Sequence, residues 1–180
     1  MVEGLGAAQF AMDGAVDRLR AVNTSRERVA DEYAQDGPGD RRSTGPQRAL
    51  VLAAADPANA YGAALSWPEP PDGSTHKPGR KAGSLVVLVD GELTLYMERG
   101  GKTLLAWAQS GEAGAPDTGS PAGTRLRLAL EALGDAARAG ALGTITVERV
   151  NGAAALTSPF APALEAAGFH PTPRGFRLRP

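Results

Sequence analysis

The amino-acid sequence predicts an α+β domain with an antiparallel sheet, either open or barrel-like, and two packed helices. Three short apolar runs between residues 84 and 108 are joined by tight-turn residues, a pattern typical of an antiparallel meander. A stretch with helical spacing follows at 125–139. The other strands and helices lack the regular alternation of βαβ units, so a parallel α/β fold is not expected.

The residues before this domain are expected to be organised differently. Residues 13–22 have the pattern of a short helix with Asp13 as its N-cap. Residues 23–46 mix charges of both signs with Gly-Pro-Gly and Ser-Thr-Gly-Pro, and they offer little apolar surface to bury. We therefore expect a helical unit at 1–22, a flexible linker at 23–46 and the α+β domain at 47–180.

The sheet is expected to begin with a buried strand at 49–55, which the following Asp56-Pro dipeptide ends in a turn. The apolar run at 84–89 predicts a second strand, buried on both faces. Asp90 and Gly91 come next, and this pair favours the positive φ angles of a type I′ hairpin turn. The strand at 84–89 and its successor should therefore form a hairpin.

The return strand at 92–98 alternates along its length. One face is expected to carry Leu93, Leu95 and Met97. A turn at 99–102 leads to a third strand at 103–108. This turn contains Gly-Lys-Thr, the end of the Walker A pattern, but Tyr96 stands where the earlier glycine is required. It also joins two strands rather than a strand and a helix, so we expect no nucleotide site.

After a loop at 110–123, the helix at 125–139 is expected to pack on the sheet. Its apolar stripe consists of Leu126, Ala129, Leu130, Leu133 and Ala137. A strand at 144–150, a short helix near 162–167 and an edge strand at 176–179 complete the predicted domain.

Composition excludes several classes of protein. The 180-residue chain has no cysteine, which excludes disulfides, thiolate nucleophiles and cysteine zinc sites. No apolar run approaches the roughly 20 residues that span a bilayer. The N-terminus lacks the basic and apolar regions of a secretory signal, so a cytoplasmic location is expected. A net charge of −1 argues against nucleic-acid binding by bulk charge alone.

Metal, cofactor and serine chemistry have little support. The two histidines, His76 and His170, stand alone without HxxxH or HExxH spacing. No serine lies in a GxSxG motif. We therefore expect neither a metal nor a cofactor.

A local surface that combines aromatic and basic residues is the main binding hypothesis. Its candidate nucleic-acid-binding residues are Tyr61, Trp67, Lys77, Arg80 and Lys81. Aromatic rings can stack on bases and lysine or arginine can neutralise phosphates. The tail, with Arg174, Arg177 and Arg179, is a second basic segment. The competing interpretation is that both segments are solvated turns and chain ends.

Asp56 is the one candidate for catalysis. A carboxylate could activate water or stabilise a cationic sugar centre during base excision. An aspartate before proline is also an ordinary turn former, and a structural role for Asp56 is the more common outcome.

Seven short motifs together resemble the C-terminal end of the Lhr (large helicase-related) family of bacterial DNA helicases. They are DPANAYG (56–62), LSWP (65–68), RKAG (80–83), VVLVDG (86–91), ERGG (98–101), EAAGF (165–169) and PRG (173–175). The match runs from about Arg48 to the last residue. Residues 2–10 and 14–20 also resemble the end of the family's last winged-helix unit and the helix that leaves it, so 1–22 is interpreted as a winged-helix remnant.

The resemblance implies a DNA-repair helicase with an ATP-driven 3′→5′ motor, winged-helix units and a terminal β-barrel-like module. The C-terminal half of this family is also similar to winged-helix DNA glycosylases. Walker A, the DEAD/DEAH-type box and the helicase arginines are absent from this chain. ATPase and unwinding activity therefore cannot be assigned to any of its residues, and the chain is interpreted as a fragment.

The expected function is that of a non-motor accessory module that contributes to DNA engagement or to C-terminal assembly. Its expected partners are DNA, single-stranded or duplex, and the helicase and winged-helix domains of a parent protein, with no membrane. Two alternatives stay open: carboxylate-dependent base excision through Asp56, and a purely structural module that forms homo-oligomers.

Overall fold

A computed structural model describes residues 47–71, 74–108, 116 and 119–179. The predicted N-terminal helix, linker and winged-helix remnant lie outside these residues. The strands are β1 (Ala49–Ala53), β2 (Leu85–Val89), β3 (Glu92–Met97), β4 (Thr103–Ala106), β5 (Ile145–Val147), β6 (Arg149–Val150), β7 (Ala153–Ala154), β8 (His170–Thr172) and β9 (Gly175–Leu178). The helices are α1 (Pro121–Arg138) and α2 (Ala161–Ala166), and a 3₁₀ turn covers Ala155–Thr157.

The strands form two sheets. The larger sheet has the order β1-β2-β3-β4-β6-β7, and all of its pairs are antiparallel except β4 with β6. The smaller sheet has the order β5-β9-β8 and is antiparallel. The predicted α+β class and the meander of β2, β3 and β4 are confirmed. Within the described residues the larger sheet is open, with β1 and β7 at its edges, so the barrel-like alternative is wrong for this part of the chain.

The hairpin between β2 and β3 follows its local sequence, with one exception. Asp90 and Gly91 both have positive φ, as a type I′ turn requires. The register shifts between Val87 and Leu88, because Val87 pairs with Leu95 whereas Leu88 pairs with Leu93. This bulge reverses the alternation, so Leu93 joins the opposite face from Leu95. The prediction that both leucines share a face with Met97 was therefore wrong.

Both faces of the larger sheet are covered. Helix α1 begins at the N-cap Ser120, whose side chain accepts a hydrogen bond from the Gly123 amide. The predicted stripe of α1 is buried against Val87, Leu95 and the other residues of the main core. A second core contains Val86, Leu88, Leu93, Tyr96 and Leu105 on the opposite face. No helix within the described ranges is long and apolar enough to cross a bilayer.

Three strand predictions are corrected by long-range pairing. The first strand is an edge strand rather than a buried one, and its Leu50 side chain is 52% exposed. The strand predicted at 144–150 divides at Glu148, because the Glu148 and Arg149 amides both donate to the Lys102 carbonyl and draw β6 onto β4. Strand β9 is central in its sheet, between β5 and β8, rather than at an edge.

Candidate nucleic-acid interface

The segment 54–71 covers the second core and carries the DPANAYG motif. Asp56 Oδ1 accepts a hydrogen bond from the Ala58 amide at 2.8 Å, and the Asp56 carbonyl accepts one from the Asn59 amide at 3.0 Å. The side chain of Asn59 is buried. Its Nδ2 donates a hydrogen bond to the Ala54 carbonyl at 2.8 Å, and its Oδ1 accepts one from the Tyr61 backbone amide at 3.1 Å. The motif therefore builds a turn that is closed by its own side chains.

The side chain of Arg80 binds the backbone of this turn through four hydrogen bonds. Its Nη1 donates to the carbonyls of Asn59 at 2.6 Å and Tyr61 at 3.3 Å. Its Nη2 donates to the carbonyls of Ala55 and Asp56, both at 3.0 Å. The planar guanidinium thus spans two stretches of backbone, a geometry that an arginine fork provides. The four hydrogen bonds indicate that Arg80 holds the loop in place.

Tyr61 and Trp67 lie side by side over the second core. Their ring centroids are 6.1 Å apart with planes at 26°, and Trp67 meets Tyr96 edge-on at 5.8 Å. The Tyr61 hydroxyl accepts a hydrogen bond from the Leu93 amide at 3.2 Å. The Trp67 indole covers Gly62, where any Cβ would collide with it. Both rings are therefore fixed in position, and both remain partly exposed.

Two exposed cations, Lys77 and Lys81, follow the aromatic pair in the chain and flank Arg80. Lys77 is exposed and has no ion pair or hydrogen bond among the described residues. Lys81 Nζ and His76 Nδ1 each lie 3.5 Å from an oxygen of Glu98, which balances part of the positive charge. Of the three predicted cations, Lys77 and Lys81 are thus presented to solvent, whereas the guanidinium of Arg80 is occupied by backbone.

Arg99 is a cation that the sequence patterns did not assign to this surface. The aliphatic stem of Arg99 crosses Gly83, where a Cβ would come within 2.9 Å of Arg99 Cγ. Gly83 ends the RKAG motif and Arg99 belongs to the ERGG motif. The presence of both motifs was the sequence feature that could have connected Arg99 with this surface. We call Tyr61, Trp67, Lys77, Lys81 and Arg99 the loop-side surface.

Asp56 has limited means for catalysis. One carboxylate oxygen accepts the Ala58 amide, and the other oxygen has no hydrogen bond or ion pair within the described residues. Arg80 donates a hydrogen bond to the backbone carbonyl of Asp56, and among the described residues it forms no ion pair with the Asp56 carboxylate. In the part of the chain that the structure describes, no cluster of three or more His, Asp or Glu side chains is arranged to hold a metal ion. The geometry leaves Asp56 a turn residue with one unengaged carboxylate oxygen.

Two curated relatives match nearly the whole chain. A protein described as "Lhr helicase/ probable uracil glycosylase", from Mycolicibacterium smegmatis, is 42% identical over 185 residues, which cover 99% of this chain. A protein described as "Lhr helicase/uracil glycosylase", from Escherichia coli strain K12, is 35% identical over 174 residues, which cover 97% of this chain. The match spans only 10% of the length of either relative. No protein-family model matches the chain.

These matches confirm the resemblance to Lhr proteins that the seven motifs indicated. Because a tenth of each relative accounts for almost all of this chain, the chain corresponds to one part of an Lhr protein, which is consistent with the expected C-terminal module.

Proposed function

We propose that this chain is a non-motor C-terminal accessory module of an Lhr-type DNA-repair helicase, and that it contributes to DNA engagement. The observation that carries the proposal is the similarity of the whole chain to one tenth of two much longer Lhr helicase/uracil glycosylase proteins. The chain has no ATPase motif, so in this proposal it contributes by binding or packing rather than as a motor. In this proposal the module works in the cytoplasm beside the helicase and winged-helix domains of the parent protein.

The loop-side surface supports DNA engagement physically. Tyr61 and Trp67 are held by Gly62, Leu93 and Tyr96, so little side-chain freedom is given up when a base stacks on them. Stacking of one base on one aromatic ring contributes about 1–3 kcal/mol. Lys77 and Lys81 add cations for the backbone of a single strand. With a net charge of −1, the chain depends on such local interactions rather than on its overall field.

The double variant Lys77→Gln/Lys81→Gln is expected to weaken binding to single-stranded DNA and to flatten its salt dependence. Each phosphate that a lysine neutralises on a single strand adds about 0.7 to the slope of log K against log salt, so removal of both lysines should reduce the slope by about 1.4. Fluorescence anisotropy with a labelled oligothymidine at several salt concentrations measures both quantities.

The matched control for this experiment is Arg127→Gln/Arg149→Gln, which removes two positive charges from other exposed positions. Arg127 lies on α1, on the other side of the larger sheet from Tyr61 and Trp67. The control is expected to keep the slope of the unmodified chain. Equal slopes for the two double variants would refute a role for the two lysines.

Base excision is the second candidate function, because both relatives carry the words uracil glycosylase in their descriptions. Asp56→Asn tests it cleanly, since asparagine keeps an oxygen that can accept the Ala58 amide hydrogen bond and so preserves the turn. If Asp56 acts on the base or sugar, the unmodified chain forms abasic sites in uracil-containing DNA and the variant is slower by about a hundredfold or more. An equal rate for the two proteins would exclude Asp56 as the catalytic carboxylate.

A purely structural module is the third candidate, and the edge strand β1 favours it. Strand β1 has one neighbour among the described residues, and its Leu50 is 52% exposed. Exposed strand edges are templates for pairing with another chain or domain. In this alternative, Leu50→Lys lowers self-association in sedimentation velocity without a change in DNA affinity.

A further inference from the structure

We propose that a groove beside strand β9 is a second DNA-contacting site, which binds a phosphate group of the nucleic-acid backbone. The groove lies between the C-terminal end of α1, the turn from α2 to β8, and strands β8 and β9. Its cationic and imidazole groups come from Arg138, His170, Arg177 and Arg179. We call it the β9 groove. The inference rests on the proposed function, which it extends from the loop-side surface to the α1 side of the larger sheet.

Arg177 is the central group of the β9 groove. In the small sheet it is paired with His170 on one side and Thr146 on the other, so the residues flanking it supply no carboxylate. The Arg177 Nε atom is buried and has no hydrogen-bond partner among the described residues. A buried donor on a charged group is costly to leave unsatisfied. The Nη atoms of Arg177 also have no hydrogen bond or ion pair among the described residues and, unlike Nε, are not buried, so they can donate to an oxygen atom of a bound anion.

Arg138 is placed at the groove by two glycines. A Cβ at Gly134 would lie 3.1 Å from Arg138 Nη2, and a Cβ at Gly168 would lie 3.2 Å from Arg138 Nη1. The guanidinium therefore occupies a space that side chains at these positions would narrow. Its Nη2 donates to Asp135 Oδ1 at 2.7 Å, whereas Nη1 forms no hydrogen bond among the described residues. The end of α1 also carries partial negative charge, which favours a cation there.

The positive charge of the β9 groove favours the binding of an anion. Among the residues that the structure describes, three arginines line it and no aspartate or glutamate does. Within the described ranges, the carboxylate that pairs with a lining residue is that of Asp135, whose side chain is 76% exposed. Water can accept hydrogen bonds from the Nη groups of Arg177, but water would not reduce the repulsion among three guanidinium groups. A phosphate does both, because its oxygens accept paired N–H donors and its charge is negative.

The bound phosphate is expected to belong to the phosphodiester backbone of DNA rather than to a small molecule. The groove is open to solvent rather than enclosed, so a phosphate that belongs to a long strand can reach it. Arginine interactions with phosphates of this kind position a strand without reading its sequence. The β9 groove is therefore expected to bind oligonucleotides regardless of sequence, while free phosphate binds weakly.

The first experiment follows the Arg177 side chain directly in the full chain. The nitrogen-15 and proton resonances of Arg177 Nε–H are recorded while a short oligothymidine is added, and inorganic phosphate is added to a second sample. The expected result is a saturable shift with the oligonucleotide at concentrations where inorganic phosphate has little effect. A shift with inorganic phosphate alone would mean an adventitious anion site only, and no shift with either would overturn the proposal.

The second experiment compares Arg138→Gln and Arg179→Gln with the control Arg127→Gln in oligothymidine binding. Each groove variant is expected to weaken binding by about fivefold and to lower the salt slope by about 0.7, the value for one neutralised phosphate on a single strand. Arg127 pairs with Glu131 on the exposed face of α1, about 16 Å along the helix from Arg138. Its variant is expected to bind as the unmodified chain does.

Two outcomes separate this inference from the proposed function. If the unmodified chain binds DNA and the groove variants match the Arg127→Gln control, the β9 groove is not a DNA site and the proposed function stands on the loop-side surface. If the unmodified chain does not bind DNA at all and the Arg177 resonance does not move, both are wrong. Circular dichroism on each variant checks that the comparison is made between folded proteins.

Discussion

Replacement of Arg80 by alanine is expected to lower the free energy of unfolding by about 2–4 kcal/mol, because the substitution leaves four backbone carbonyls without their donor. This loss of stability is smaller than the sum for four charged hydrogen bonds, because Arg80 is partly exposed and water replaces some of the lost bonds. The affected loop supports Tyr61 and Trp67, so the substitution should also loosen the aromatic pair. Urea unfolding followed by tryptophan fluorescence measures both effects.

Two variants separate the geometry of Arg80 from its charge. Arg80→Lys keeps the positive charge, but an ammonium group cannot reach both stretches of backbone in the way a planar fork does, so it should recover only part of the stability. Lys81→Ala removes one charge from a side chain that is 58% exposed, and it should cost less than about 1 kcal/mol. Equal destabilisation by Arg80→Ala and Lys81→Ala would show that Arg80 does not hold the loop.

Gly175→Ala is expected to destabilise the domain by about 3 kcal/mol or more, which combines backbone strain with overpacking. Gly175 has φ of +137°, and an added Cβ would collide with the Val147 carbonyl oxygen and lie 2.9 Å from Glu148 Cα. These neighbours are backbone atoms of β5 and its exit, so they cannot rotate away. Thermal unfolding followed by circular dichroism should show a melting temperature lower by roughly 10–20 °C.

Gly140→Ala is the matched control for this substitution. Gly140 also has positive φ, +75°, but an added Cβ there meets no atom within 4 Å. Its replacement by alanine should therefore lower the free energy of unfolding by only about 1–2 kcal/mol, the cost of placing a residue with a Cβ in the left-handed region. If both variants were destabilised equally, the close approach of β9 to the end of β5 would not be a determinant of the fold.

Local pattern was sufficient for the parts of the fold that depend on neighbours in the chain. The Asp90-Gly91 turn and the stripe of α1 are as predicted, because turn conformation and helical spacing are local properties. The faces and edges of the sheets were not predictable in this way. Leu93 changed face because of a bulge opposite β2, and β9 became central because β5 and β8 pair with it from distant positions.

The same distinction holds for the candidate sites. The sequence predicted one aromatic and basic surface from Tyr61, Trp67, Lys77, Arg80 and Lys81. It could not show that Arg80 turns inward, since the carbonyls that Arg80 binds are 19 to 25 residues away. The β9 groove was equally hidden. The basic tail was visible in the sequence, whereas its association with Arg138 depends on how α1 ends beside β8 and β9.

The most direct test of the central claim is the salt dependence of single-stranded DNA binding by the unmodified 180-residue chain. Fluorescence anisotropy at about 50 mM and about 200 mM salt covers the range in which a few neutralised phosphates change affinity severalfold or more. Measurable binding is expected at the lower concentration, with a steep decrease at the higher one. The absence of binding at both concentrations would contradict DNA engagement and leave the packing role within the parent helicase as the function of this module.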